Sequence, residues 1–542
     1  MSRTSRLEQL ANETRSEVTA NGQSMVLYLL AASVALAVLS PLLWIVWRAS
    51  SVGPGKVAEI VFRAETGQIF LNTVVLVVSV TACSILLGVP LAMLTAQTDL
   101  PFARLWTVLA ALPLVIPSYI GAFAFDSAFG RGGELAGILA PVGIAHIPSI
   151  RGLSGTILVM TLFTYPYVFL TARASLLSLD GQAIEAARTL NHSRLGAFRR
   201  VTLPQLKPGI AAGSLLVALY TLSDFGTPAI MHFDVFTRMI YVEYGARRPD
   251  FAAVLSLLLV GLTIVILIVE SRIERADESD AYVNRGTDRP GTISLGYWKL
   301  PALGFCSLVA LLALVLPPAI LVMWLDRSGG GFGASAFTFQ WSYVWHSVTT
   351  SGLAAGISVL AALPIAYLSA RGDGFLSELP ERSSYVGYAV PGIVLGLGLV
   401  SFALDVTPIL YGTIAILVFA YVVRFFPQAV GTIRSSVLQT DPQLVEAART
   451  LNHSPLSAFR KVILPLVMPG LVAGAALVFL TSMKELAATL LLKPFDYETL
   501  VTYIWLVQGT GDYGKAAVPA LVLIGVSALS MLVILGRERY DV

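Results

Sequence analysis

The chain has 542 residues, of which 56% are hydrophobic and 13% charged, with a net charge of +3 and a mean hydropathy of +0.76. A water-soluble domain carries about 25% charged residues, so half the usual charge is missing and much of the surface must face lipid. The small net charge argues against a nucleic-acid partner, and two cysteines are too few for a disulfide framework or a cysteine-built metal site.

Residues 1–24 are polar and lack the short basic start of a cleaved signal peptide. They read as a cytoplasmic segment ahead of a retained first span. The first apolar run, 25–47, is long enough to cross a bilayer, since about 20 residues at 1.5 Å rise cover the ~30 Å core. Further runs follow at 71–96, 106–124, 155–176, 209–231 and 251–269, then at 300–324, 348–370, 385–404, 409–432, 470–492 and 518–535. The expected fold is therefore all-α and integral to the membrane, with about twelve transmembrane helices. The stretch 271–299 mixes Arg, Asp, Glu, Gly and Pro and reads as a solvated cytoplasmic linker. It divides the chain into a first membrane half, 25–270, and a second, 300–542. Cys83 and Cys306 sit inside apolar runs and read as packed thiols. The five histidines show no HxxxH or HExxH spacing.

The two halves repeat. LLGVPLAMLTA, from Leu86, matches LAALPIAYLSA, from Leu360, and sets Pro90 over Pro364. EAARTLNHSRLGAFRRVTLPQLKPG, from Glu185, matches EAARTLNHSPLSAFRKVILPLVMPG, from Glu446, at 18 of 25 positions. Two such bundles predict six-helix halves related by a pseudo-two-fold. Basic residues cluster in the repeated segment (Arg188, Arg194, Arg199, Arg200, Lys207; Arg449, Arg460, Lys461), the linker and the tail. The positive-inside rule puts that side, and both termini, in the cytoplasm.

The repeated segment is too polar to span, yet it lies between spans. Glu446 opens a stretch of good helix formers, Asn452 suits a helix-ending turn, and Pro465 suits a first helical turn. Glu185-Ala186-Ala187 is followed by Asn191 and then by Leu203-Pro204; Glu446-Ala447-Ala448 is followed by Asn452 and then by Leu464-Pro465. This pattern resembles the permease subunits of binding-protein-dependent ATP-binding-cassette importers. Their signature is EAA, three residues, Gly, nine residues, then I-x-L-P. Asn191 and Asn452 stand at the glycine position, a departure that keeps the turn because Asn tolerates the left-handed region. The resemblance implies a type I importer permease fold. It also implies that these segments are coupling helices docked on separate ATPase subunits, two copies of one, with Glu185 and Glu446 approaching basic residues of that partner. The stretches TSMKELAATLLLKPFDYETLVTYIW and YVVRFFPQAVG resemble fused permeases of ferric-ion importers in particular. That likeness implies an inner-membrane protein served by an extracytoplasmic ferric-binding protein and moving iron by alternating access. Thiamine, polyamine, phosphonate and sulfate permeases are related and less similar. An ion-coupled secondary transporter is the reading from another class, and it gives no reason for two EAA segments.

Charges inside spans cost at least ~2.5–3.5 kcal/mol and so face a pathway or a partner. Asp224 and Glu485 hold the same repeat position, as do Ser223 and Lys484. Arg424 and Tyr165 lie near Pro427 and Pro166. These five side chains (Asp224, Glu485, Lys484, Arg424 and Tyr165) either line a pathway or pair helices, and the sequence leaves both open. GTGDYGKA, from Gly509, approximates a phosphate-binding loop, but Ala516 replaces the metal-binding hydroxyl. It reads as coincidence. No catalytic residue and no metal site are expected, and the chain is expected to bind no cofactor, with ATP and magnesium on the partner subunits.

Overall fold

Backbone polar groups cannot stay unpaired in hydrocarbon, and an apolar chain satisfies them locally by forming helices. The computed structural model describes all residues except 1–2, 131–132, 144–146, 180–195, 197, 282–291, 328–338, 372–379, 382–386, 388–389, 442, 445–449, 451–456, 458, 511–512 and 539–542. Among the described residues ten helices are long and apolar enough to cross a membrane. In the first half they lie within α1 (Arg3–Ser50), α3 (Ala64–Gln97), α6 (Leu153–Leu177), α7 (Leu203–Ser223) and α10 (Pro249–Ala281), with the short α2 (Pro54–Val61) between the first two. In the second half one runs through α11 (Lys299–Ala310) and α12 (Leu316–Arg327). The others are α13 (Trp341–Arg371), α15 (Ile414–Leu438), α16 (Leu464–Met483) and α19 (Tyr513–Glu538).

Two expected spans have unexpected shapes. The run at 106–124 is a pair, α4 (Ala103–Ala111) and α5 (Ser118–Ala128), bent by 91°. Pro117 causes the break: it forces Ile116 to extended backbone, with φ −84° and ψ 121°. The run at 385–404 is the shorter α14, Gly392–Val406. Among the described residues the bent pair raises the candidate spans from ten to as many as eleven, against about twelve expected, and the 15-residue α14 stands in the remaining place.

The runs at 209–231 and 470–492 do not continue as single helices. Both break near residues that sequence periodicity had placed inside a span. α7 ends at Ser223, and α8 (Gly226–Ile230) and α9 (Phe236–Gly245) follow. α16 ends at Met483, and α17 (Ala487–Leu492) and α18 (Leu500–Thr510) follow. At each break a carboxylate accepts the free N–H groups of the next helix. Asp224 Oδ1 takes Gly226 N at 2.9 Å, and Glu485 Oε1 takes Ala488 N at 3.0 Å. Orphan donors at a helix start make such a carboxylate more favourable than another turn. At their other ends both spans begin earlier than expected, in π-helical turns, Phe198–Thr202 and Phe459–Ile463. Pro204 and Pro465 then sit in the first α-turn, and the wider turn before them relieves the ring's clash with the preceding carbonyls.

The repeat extends to single contacts. A Cβ on Gly209 would fall 2.2 Å from Ser175 Oγ, and one on Gly470 would fall 2.2 Å from Ser436 Oγ. Without those side chains α7 lies tight on α6, and α16 on α15. At the opposite end, Asn72 Nδ2 donates to Asp234 O at 2.9 Å while His346 Nδ1 lies 2.8 Å from Glu498 O. Phe236 N meets Thr73 Oγ1 at 3.2 Å, and Leu500 N meets Ser347 Oγ at 2.8 Å. The halves also exchange a helix. α1 packs on α14, where Gly398 leaves room for Ile45, and Arg48 lies between Asp250 at 3.9 Å and Asp405 at 3.8 Å. The loop that lengthens the first half is closed by Arg151, whose Nε and Nη2 donate to Asp126 at 2.6 and 3.0 Å. Cys306 is buried and Cys83 partly so, and both are free thiols.

The expected linker is only partly a linker, since α10 runs on to Ala281. Its far end is pinned to the first half. Ile293 N donates to Gln97 O at 2.8 Å, and Asp99 N donates to Ile293 O at 3.1 Å. The Asp99 carboxylate accepts Leu295 N and Lys299 Nζ, each at 2.8 Å. The hydrogen bond from Lys299 holds the Asp99 carboxyl below its usual 3.8. A depressed folded value means that this docking is present above the unfolded value and is lost as pH falls through the folded one. Asp99→Asn is therefore expected to speed amide exchange at Ile293 and Leu295 at pH 7. Protection equal to the parent's would remove Asp99 from this role.

A candidate translocation site between the halves

The breaks after α7 and α16 bring four of the five intramembrane candidates to one cavity of about 160 Å³. Its lining draws repeat-equivalent residues from both halves: Tyr167 with Gln428, Tyr220 with Thr481, Ser223 with Lys484, and Asp224 with Glu485. The side chains at the breaks line the space where the two bundles meet.

The two carboxylates are held in different ways. Asp224 Oδ2 accepts Ser118 Oγ at 2.7 Å and Thr227 Oγ1 at 2.6 Å, while Oδ1 accepts the N–H groups of Gly226 and Thr227. Tyr220 Oη donates to Ser118 Oγ at 3.0 Å, so Ser118 relays between them. Glu485 instead meets a cation, with Arg424 Nη1 3.2 Å from Oε1. The Arg424 and Glu485 side chains are 13% and 8% exposed, so this is a pair largely withdrawn from solvent. Gly392 makes room for it. A Cβ there would lie 1.6 Å from Arg424 Nη1 and 2.3 Å from Glu485 Oε1. Gly392 is the repeat counterpart of Ser118, each following a proline, Pro391 or Pro117. A hydroxyl in one half and an absent side chain in the other, with Thr227 opposite Ala488 and Arg424 opposite Phe163, set how each carboxylate is partnered.

Two hydrogen bonds cross between the halves at this level. Arg424 Nη2 donates to Ser223 Oγ at 2.6 Å, and Lys484 Nζ donates to Leu114 O at 2.8 Å. Lys484 is adjacent to Glu485 in sequence but spends its hydrogen bond on the first half. Tyr119 also lines the cavity, and its buried Oη has no hydrogen-bond partner among the described residues.

Sequence reasoning placed Tyr165 beside this group, and the structure does not. Tyr165 is fully buried away from the cavity, and Tyr167 lines it instead. Two residues along a helix turn through about 200°, so the pair flanking Pro166 faces opposite ways. Ser118, Tyr119 and Gly392 were missed. Their signal was present, because IPSYIG and VPGIVL align when the repeat is extended forward from Pro90 and Pro364.

Glu185, Ala186, Ala187, Asn191, Glu446, Ala447, Ala448 and Asn452 lie outside the described residues. Leu203, Pro204, Leu464 and Pro465 open α7 and α16, with Arg199, Arg200, Arg460 and Lys461 in the π-turns before them. The GTGDYGKA stretch joins α18 to α19, and no strand precedes it among the described residues. Among the described residues no three His, Cys, Asp or Glu side chains converge as a metal-holding group.

Comparison with known proteins adds an independent line. The family described as "Binding-protein-dependent transport system inner membrane component" matches residues 84–276 and again 362–537, one match in each half. The "Fe(3+)-transport system permease protein FbpB 2" of Haemophilus influenzae is 32% identical over 512 residues, 94% of this chain and 97% of that protein. The "Ferric transport system permease protein FbpB" of Actinobacillus pleuropneumoniae is 25% identical over 87% of this chain and 71% of its own length. The "Probable ABC transporter permease protein y4fN" of Sinorhizobium fredii is 25% identical over 89% of each.

Proposed function

We propose, from the premise that this chain belongs to the family of binding-protein-dependent transport system inner membrane components, that it is a fused permease carrying ferric iron into the cell. Membership covers both halves, so one chain supplies what a pair of subunits would. Iron as cargo is supported by the printed functions of two relatives that align over 94% and 87% of the chain. The structural observation that carries the transport reading is the cavity between the halves. It is lined by repeat-equivalent side chains and bridged, at its charged residues, by the cross-half hydrogen bonds of Arg424 to Ser223 and Lys484 to Leu114.

In this reading both termini and the repeated segments are cytoplasmic. Residues 1–24 precede the first half, 25–270, and a partly helical linker, 271–299, leads to the second half, 300–542. Two ATPase subunits dock on the segments that begin at Glu185 and Glu446, and they hold the ATP and magnesium. The chain binds no cofactor of its own. A ferric-binding protein docks on the opposite face, near the Asn72–Asp234 and His346–Glu498 contacts. Closure of the ATPase pair draws the segments together and rocks the bundles apart on that face. The cargo enters between them, and hydrolysis resets the inward state. The permease's part is mechanical and electrostatic, with no bond made or broken.

The test reconstitutes the chain with its ATPase and binding protein in proteoliposomes. Ferric-loaded binding protein is expected to stimulate ATP hydrolysis several-fold over the empty protein. Equal stimulation by the two would overturn iron as the cargo.

A further inference from the structure

We propose that Arg424 and Lys484 are the latch of this permease: two donors from the second half that hold the first half against it across the cavity. The proposal rests on the transport reading above and concerns the step in which the bundles part.

The latch is one-sided. Both donors belong to the second half, and both acceptors, Ser223 Oγ and Leu114 O, belong to the first. Their repeat counterparts in the first half are Phe163 and Ser223, neither of which is cationic. The cations thus stand in one half only. Both acceptors are neutral oxygens. A charged donor on a neutral acceptor is held less firmly than one on a carboxylate, which suits a contact that must open every cycle. Arg424 keeps Glu485 as its partner within its own half, so parting the halves does not strand its charge. Lys484 leaves a backbone carbonyl, beside the Pro117 bend of the α4–α5 pair, on the element free to move with the first half. Separation in either direction breaks both bonds together, since both span the same interface. Arg424 and Lys484 are positioning residues here, acting on the halves and not on cargo.

The experiment uses the full chain assembled with its ATPase subunits, without binding protein or iron. Arg424→Gln, Lys484→Gln and the double variant are compared with the parent for basal ATP hydrolysis. A reporter, Thr481→Cys, is placed on the cavity wall in a background with Cys83 and Cys306 replaced by serine, and is labelled by a membrane-impermeant maleimide. The double variant is expected to hydrolyse ATP several-fold faster at rest and to label several-fold faster, with Arg424→Lys restoring part of each. A structural role alone predicts lower hydrolysis in step with lower yield. Rates equal to the parent's, or reduced, overturn the latch. If the double variant does not assemble, Ser223→Ala is read in its place, because it removes only the acceptor hydroxyl; unchanged labelling there overturns the proposal equally. No iron enters these measurements, so the latch fails by them alone, and the cargo reading fails only by the ferric-loaded against empty comparison.

Discussion

Replacing Gly392 by alanine is expected to destabilise the protein by about 3–5 kcal/mol, the usual cost of breaking a buried ion pair from one side. The added Cβ occupies the position of Arg424 Nη1 and crowds Glu485 Oε1. Either group can swing clear sterically, since both are ends of long side chains. A swing that separates them leaves a carboxylate at 8% exposure without its counter-ion. Ser118→Ala, at the counterpart position, removes one charge-assisted hydrogen bond from an aspartate that keeps three others, and is expected to cost about 1.5–3 kcal/mol. Thermal unfolding of the purified complex measures both. The mechanism is isolated by repeating Gly392→Ala in a background carrying Arg424→Gln and Glu485→Gln. With no charge to strand, the alanine should become nearly neutral, and a penalty that persists undiminished would mean the glycine serves backbone packing instead.

Reversing Glu185 and Glu446 together, each to lysine, is expected to abolish transport and to release the ATPase subunits during purification. Charged groups at the core of an interface cost about 2–5 kcal/mol each when their partner is lost, and reversal adds repulsion. Two segments fail at once, so the losses compound to well over a hundredfold in assembly. Each single variant should retain one docking segment and lose transport more than assembly. The flanks of both segments are alike, a long helix before (α6 or α15) and a π-turn after, which predicts equal effects from the two single variants. Co-purification of the ATPase with the double variant, together with unchanged uptake, would refute the docking role.

The sequence alone determined that the chain crosses a membrane many times, and that it does so in two similar halves. These are properties of composition, of run length and of identity between segments, and each is written locally. It also singled out the intramembrane charges as candidates, because a charge in lipid is costly wherever it folds. Tertiary structure decided how those charges are satisfied. Asp224 and Glu485 hold one repeat position, and their own segments show only that Thr227, where the second half has Ala488, offers Asp224 one nearby hydroxyl. The rest of the difference lies farther off in sequence, in Ser118, Gly392 and Arg424, and the effect of a missing side chain shows only once the neighbour that fills its place is known. The hydrophobic run likewise reads straight through the breaks at Ser223 and Met483, since carboxylate capping of a helix start competes with helix continuation on equal apolar terms. Tyr165 and Tyr167 were separable only by knowing which face of α6 meets the second half. Lys484 shows the limit most plainly. It stands beside Glu485 in sequence, yet its hydrogen bond goes to Leu114 of the other half, because two bundles closing on one cavity bring a backbone carbonyl to the ammonium.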